Sequence, residues 1–200
     1  MSFDTIAVDL GGVAATFKPA ARSAVIGAAT GLTAHDVEAR LFASGLDARL
    51  ERGEFTTTAE AMTLLIDALD RQMSADALVA AWSRAFIPDC DVLSLLARRS
   101  ERVILFTNNG PIVQTCLAGP LREIGDVCDQ IVCSWQLGAT KPAPLAFERF
   151  AAETGSTARQ LLLVDDSQAN VEAARQAGWA AELVKNAADL RESLSREEHG

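Results

Sequence analysis

Asp9, Thr107-Asn108, Lys141 and Asp165-Asp166 are the residues whose types and placing could do chemistry. Asp9 closes the apolar run Ile6-Ala7-Val8 and is followed by Gly11 and Gly12. Thr107-Asn108 closes Val103-Ile104-Leu105-Phe106, and Asp165-Asp166 closes Leu161-Leu162-Leu163-Val164. Lys141 lies in the loop after Gln130-Ile131-Val132-Cys133. Short apolar runs of this kind fill the middle of buried parallel strands. A carboxylate where such a strand gives way to a loop is poorly placed for stability. It is well placed for a ligand, because open α/β sheets bind at the carboxyl ends of their strands. Asp9 alone is explained as well by a cap in an ordinary strand-to-helix turn. Several such endings in order point to a shared site.

The cluster would have a definite chemistry. Two carboxylates about 4 Å apart repel by roughly 4 kcal/mol at an effective dielectric near 20. A cation or a protonation shift is needed to hold them together. Oxygen ligands without His or Cys favour magnesium over zinc. A hydroxyl, an amide and an ammonium nearby suit the oxygens of a phosphoryl group. These parts add up to metal-assisted phosphoryl transfer, in which positioning and charge neutralisation carry most of the rate.

The elements that must position these groups follow from the pattern of the chain. Strand-like runs alternate with helical stretches from Asp89 onward, which predicts a parallel sheet with right-handed crossovers. Helices are expected at 91–99, from Pro111 toward Leu121, at 144–153 and at 169–177, with a last strand at 180–184. The tail from Ala187 reads as a charged surface helix that frays. Between the first two strands the pattern is helical throughout. Pro19–Thr30 stops at Gly31, Thr33 caps a helix through Phe42, Thr57 or Thr58 caps a third and Ser74 a fourth. The fold class is therefore α/β: a Rossmann-like parallel sheet flanked by helices, with an inserted all-helical cap. The expected boundaries are a core of 1–15 and 89–200 and a cap of 16–88.

Composition narrows the function. The 200 residues carry 18 basic and 27 acidic side chains, a net charge of −9, and 49% are hydrophobic. No basic cluster is present, so nucleic acid and anionic membranes are excluded as partners. An anionic substrate would need a metal or a local cation to draw it in. Cys90, Cys116, Cys128 and Cys133 have neither zinc-ligand spacing nor a disulfide framework, and read as buried free thiols in a reducing compartment. No signal segment or membrane span is legible, which suits a cytoplasmic protein. The sequence carries no signature of oligomeric state.

The motifs resemble those of the haloacid dehalogenase-like hydrolases. Val8-Asp9-Leu10-Gly11-Gly12-Val13 is similar to that family's first motif, Phe106-Thr107-Asn108 to its second, Lys141-Pro142 to its third and Val164-Asp165-Asp166 to its fourth. The helical insertion resembles the cap of its subfamily I. The resemblance implies a magnesium-dependent phosphatase with Asp9 as nucleophile, forming an aspartyl-phosphate. It implies that Thr107 and Asn108 hold the phosphoryl group and that Lys141 neutralises charge on Asp9 and phosphate. Asp9, Asp166 and the Gly11 carbonyl would hold Mg2+. Asp165 stays open between a more distant metal ligand and an anchor for Lys141, and Asn170 is a supporting candidate.

One position departs from the pattern. The family's phosphatases usually carry a second Asp two residues after the nucleophile, as general acid and base, and Gly11 stands there. That group often contributes about 10²–10⁴-fold. The form Asp-Leu-Gly-Gly-Val, with Glu51-Arg52-Gly53-Glu54, resembles most the branch of an α-D-glucose-1-phosphate phosphatase. A sugar 1-phosphate leaves as a hemiacetal oxygen and needs protonation less. The expected substrate is thus a small phosphorylated metabolite, with a sugar phosphate as the finer expectation. Two alternatives remain: a non-catalytic phosphate-binding or regulatory protein disabled by Gly11, and a metal-independent 2-haloacid dehalogenase. A phosphomutase would reuse the missing acid. Phe17 and Arg22 follow the first motif and are candidates to face a substrate. Trp82 and Trp135 read as packing, with Trp135 near the Lys141 loop, and His35 and His199 as solvated.

Overall fold

The computed structural model describes residues 3–55 and 57–197, and His199 lies outside them. Five parallel strands form the central sheet: β1 (Thr5–Val8), β4 (Arg102–Thr107), β5 (Gln130–Cys133), β6 (Leu161–Asp165) and β7 (Ala180–Leu183), in the order β5-β4-β1-β6-β7. β1 lies between β4 and β6, with Val8 opposite Leu105 and Val164. This register brings Asp9, Thr107 and Asp165 to one edge. β1 is wholly buried, as its apolar run requires. Helices cover both faces. Phe106, Phe147, Phe150 and Trp179 pack into one aromatic cluster beneath the site, the Phe106 and Phe150 rings 4.3 Å apart.

The remaining short strands, β2 (Ala15–Phe17) and β3 (Phe86–Pro88), form an antiparallel ribbon, with Ala15 opposite Pro88 and Phe17 opposite Phe86. The sequence predicts no strand here. Three residues on each side are too few for a period to show, and the pairing partner lies far along the chain. The ribbon joins the helical insertion to the sheet, so the base of the insertion is not helical. Its Phe17 and Phe86 rings stack 5.3 Å apart.

Helix α1 (Pro19–Thr30) ends at Gly31 in a left-handed conformation, as expected. Thr33 caps α2 (Ala34–Val37) in a capping box with Asp36, but the helix widens into a π-turn over 38–43. A helix not expected, α3 (Leu46–Glu51), follows. Thr57 caps α4 (Thr58–Ala68), and Ser74 caps α5 (Ala75–Ser83). In the core, α6 (Cys90–Leu96) is shorter than predicted. The helix at Pro111 ends at Ala118 (α7), and α8 (Arg122–Gly125) makes a separate turn. A short α9 (Ser134–Leu137) follows β5, and α10 (Pro144–Thr154) and α11 (Gln168–Gln176) lie near their expected places.

The tail helix α12 (Ala187–Glu197) is docked on α6 with Leu190 and Leu194 buried, so it is not merely a surface helix. All four cysteines are free; Cys116 and Cys133 are buried, but Cys90 is exposed. No helix of the described residues is long and apolar enough to cross a membrane.

Candidate active site

Lys141 organises the site. Its side chain is 1% exposed, and its ammonium donates to Asp9 Oδ1 at 2.9 Å, Asp165 Oδ2 at 2.6 Å and the Phe106 carbonyl at 2.8 Å. Burial works against this charge, but Asp9 and Asp165 more than offset it and hold the lysine pKa above its usual value. Burial pushes Asp9 up to about 6, opposed by Lys141 and reinforced by Asp165.

Asp165 is fully buried and fully used. Its Oδ1 accepts from the Ser167 amide and from Asn170 Nδ2, each at 2.9 Å, while Oδ2 takes Lys141. Asp165 thus bonds Lys141 and is itself bonded by Asn170. Asp166 is exposed, and its pKa is raised by burial and then by Asp165. Carboxylate oxygens of Asp9, Asp165 and Asp166 lie within 4.8 Å of one another. An all-oxygen trio this tight fits a hard divalent cation. Gly12 makes the approach possible: with φ of +92°, its missing Cβ would fall 2.1 Å from Asp166 Oδ2.

Gly11 differs from Gly12. Its φ lies outside the left-handed range, and a Cβ there would sit 3.4 Å from Phe17 Cβ, in ordinary contact. The backbone does not require glycine at that position. Gly11, Gly12, Phe17, Asp89, Asp166 and Lys185 line an open cavity of about 500 Å³.

The Asn108 side chain is turned to the Lys141 loop. Asn108 Nδ2 donates to the Lys141 carbonyl at 2.8 Å, and its Oδ1 accepts from the Lys141 amide at 2.9 Å. Asn108 thus ties the loop after β4 to the Lys141 loop. Thr107 Oγ1 accepts from Asn109 Nδ2 at 2.7 Å and keeps its own proton for a further acceptor.

Sequence reasoning missed Ser134, although it directly follows β5. Buried Ser134 Oγ accepts from the Asn109 amide at 3.1 Å and donates to the Glu51 carbonyl at 2.7 Å, joining the insertion to the site. Gly53 explains the bend at 51–54: with φ of +72°, its Cβ would fall 2.5 Å from the Trp135 carbonyl. Trp135 packs on Phe55, with ring centres 5.6 Å apart. His35 is exposed, as expected.

A family model described as haloacid dehalogenase-like hydrolase matches residues 3–178. The chain belongs to that family. Among this family's members, the chain is 28% identical over 161 residues to a D-ribitol-5-phosphate phosphatase of Bacteroides thetaiotaomicron, covering 76% of this chain and 77% of the relative. Its fold is similar to a haloacid dehalogenase-like hydrolase of Porphyromonas gingivalis (TM-score 0.78, 22% identity, 100% of both chains). It is also similar to an enzyme of the family from B. thetaiotaomicron in complex with magnesium and inorganic phosphate (TM-score 0.74, 21% identity, 92% of this chain and 95% of that one).

Proposed function

We propose that this hydrolase is a magnesium-dependent phosphatase of a small phosphorylated metabolite, acting through an aspartyl-phosphate on Asp9. The observation that carries the reading is the Asp9–Lys141–Asp165 arrangement beside an exposed Asp166. The similarity to a D-ribitol-5-phosphate phosphatase and to a fold solved with magnesium and phosphate supports it. In this reading residues 16–88 form a cap over the core of 1–15 and 89–200.

Asp9, Asp166 and the Gly11 carbonyl would hold the metal. When bound, it would neutralise charge on the acidic cluster and on the phosphoryl oxygens. Lys141 fixes Asp9 Oδ1, which leaves the other carboxylate oxygen to attack phosphorus as the ester oxygen departs. Thr107 donates its hydroxyl proton to a phosphoryl oxygen. Water then cleaves the aspartyl-phosphate and releases inorganic phosphate, restoring Asp9. Gly11 offers no proton to the leaving oxygen, which favours acidic leaving groups such as the anomeric oxygen of a sugar 1-phosphate.

The test is a panel of phosphorylated metabolites and an aryl phosphate, with magnesium and with excess chelator. Turnover is expected only with the metal, and Asp9→Asn should fall below about a tenth of wild-type activity without losing its fold. Full turnover in chelator would favour the dehalogenase reading. No turnover on any phosphate would favour the non-catalytic one.

A further inference from the structure

An open groove of about 800 Å³ runs between α1, the end of α5, β3 and the first residues of α8, and no residue of the Asp9 cluster lines it. Four large apolar side chains are exposed among the described residues, and two of them, Val25 (40%) and Ile87 (47%), line this groove. A third, Phe17, stacks on Phe86, which also lines it, with ring centres 5.3 Å apart. One exposed apolar side chain is ordinary. Two in one groove with a third beside it mark a surface for association.

The charges of the groove say what covers it. Only two charged residues line it, Arg84 closing α5 and Glu123 on α8. Both are exposed, and neither has an ion-pair partner among the described residues. One cation and one anion therefore share the face without pairing with each other. Such a pattern is matched by its own copy turned through a two-fold axis. Arg84 then meets the partner's Glu123, and the reverse contact forms at the same time. The net charge of −9 favours this face over others. Two like-charged copies repel, and they approach most easily where the local charge sums to zero. A strongly charged partner finds no excess of either sign here.

We propose that this groove is a two-fold interface between copies of this chain. Val25, Phe86 and Ile87 form its apolar centre, and Arg84 pairs with the partner's Glu123 on either side. α1, α5 and β3 come from the helical insertion and its ribbon, whereas α8 follows β4 of the sheet. A second copy seated here ties the insertion to the core from outside, beside the ribbon that carries Phe17 over Gly11. The inference stands independently of the phosphatase reading.

The test is sedimentation equilibrium of the whole chain from micromolar to near-millimolar concentration, at constant ionic strength. Wild type should reach twice the chain mass. Arg84→Glu and Glu123→Arg each set like charges opposite one another at both contacts, and each should raise the dissociation constant by at least about tenfold. Ile87→Ser should weaken the dimer by a similar factor through lost apolar burial. An equal mixture of Arg84→Glu and Glu123→Arg should recover the dimer, because a heterodimer of the two pairs opposite charges at both contacts. The double variant carrying both reversals should recover it as well. Melting curves establish that each variant folds, and the double variant with Ile87→Ser carries the test if a single reversal does not. A wild type that stays monomeric throughout overturns the inference. So do single reversals or Ile87→Ser that dimerise as tightly as wild type, and so does a mixture of the two reversals that fails to recover the dimer.

Discussion

At the scale of the residue, two neighbouring glycines have opposite meanings. Gly12 is required twice over, by its φ of +92° and by Asp166 Oδ2 lying 2.1 Å from where a Cβ would be. Gly12→Ala is expected to displace Asp166 and cut magnesium-dependent turnover by about two orders of magnitude or more, a loss of roughly 2.7 kcal/mol in transition-state binding. Near-normal kcat/KM in that variant would show that Asp166 is not a ligand. Gly11 is free of both constraints, so Gly11→Asp should fold with its melting temperature nearly unchanged. If the missing acid limits the rate, this substitution should raise kcat on primary alkyl phosphates, where leaving-group protonation matters, and do little for aryl or anomeric esters. Equal effects on all esters would place proton donation elsewhere.

At the scale of the element, the site depends on how loops after different strands are tied together. Asn108 binds the Lys141 backbone at both its donor and its acceptor, as a further peptide group of a sheet would. Asn108→Ala loses two hydrogen bonds, each worth about 1 kcal/mol net. It should lower the melting temperature by about 2–4 °C for each kcal/mol in a domain of this size. Its larger effect should be on kcat, by about 10–100-fold, because a lysine misplaced by about 1 Å no longer matches the transition state. Asn108→Asp should be worse than alanine, since it turns an oxygen toward the Lys141 carbonyl. A variant with lower stability and unchanged kcat would reduce Asn108 to a structural tie.

At the scale of the whole molecule, the helical insertion and the sheet meet through the ribbon of β2 and β3 and through the contact of Glu51 with Ser134. The half-buried Glu51 carboxyl at this junction makes stability depend on pH. Glu51 is pushed from an ordinary value of 4.5 up to about 8, so the folded chain binds that proton more tightly than the unfolded one. Its contribution to stability is fully present below the ordinary value and is lost as pH rises through about 8. Glu51→Gln removes this dependence. The variant should match wild type near pH 5 and melt higher near pH 8.5, by about 2–4 °C per kcal/mol relieved. A difference that stays constant across that range would mean Glu51 is not held protonated by its surroundings.

The sequence alone determined the alternation of strands and helices, the ends of β1, β4 and β6 and most of the helix caps, and it singled out Asp9, Lys141 and Asp166 as candidates for one site. These features are local. An apolar run, a glycine or a capping threonine writes its own conformation into a few neighbouring residues, and the parallel-sheet rule then gathers the strand ends at one edge. Only the tertiary structure shows both oxygens of Asp165 engaged, by residues distant in sequence or brought round by a turn. It also shows the Asn108 side chain bonded to the Lys141 backbone. The β2–β3 pairing and the Ser134–Glu51 tie depend on segments many residues apart. Such contacts leave no period in the chain, and they form when the insertion closes on the sheet.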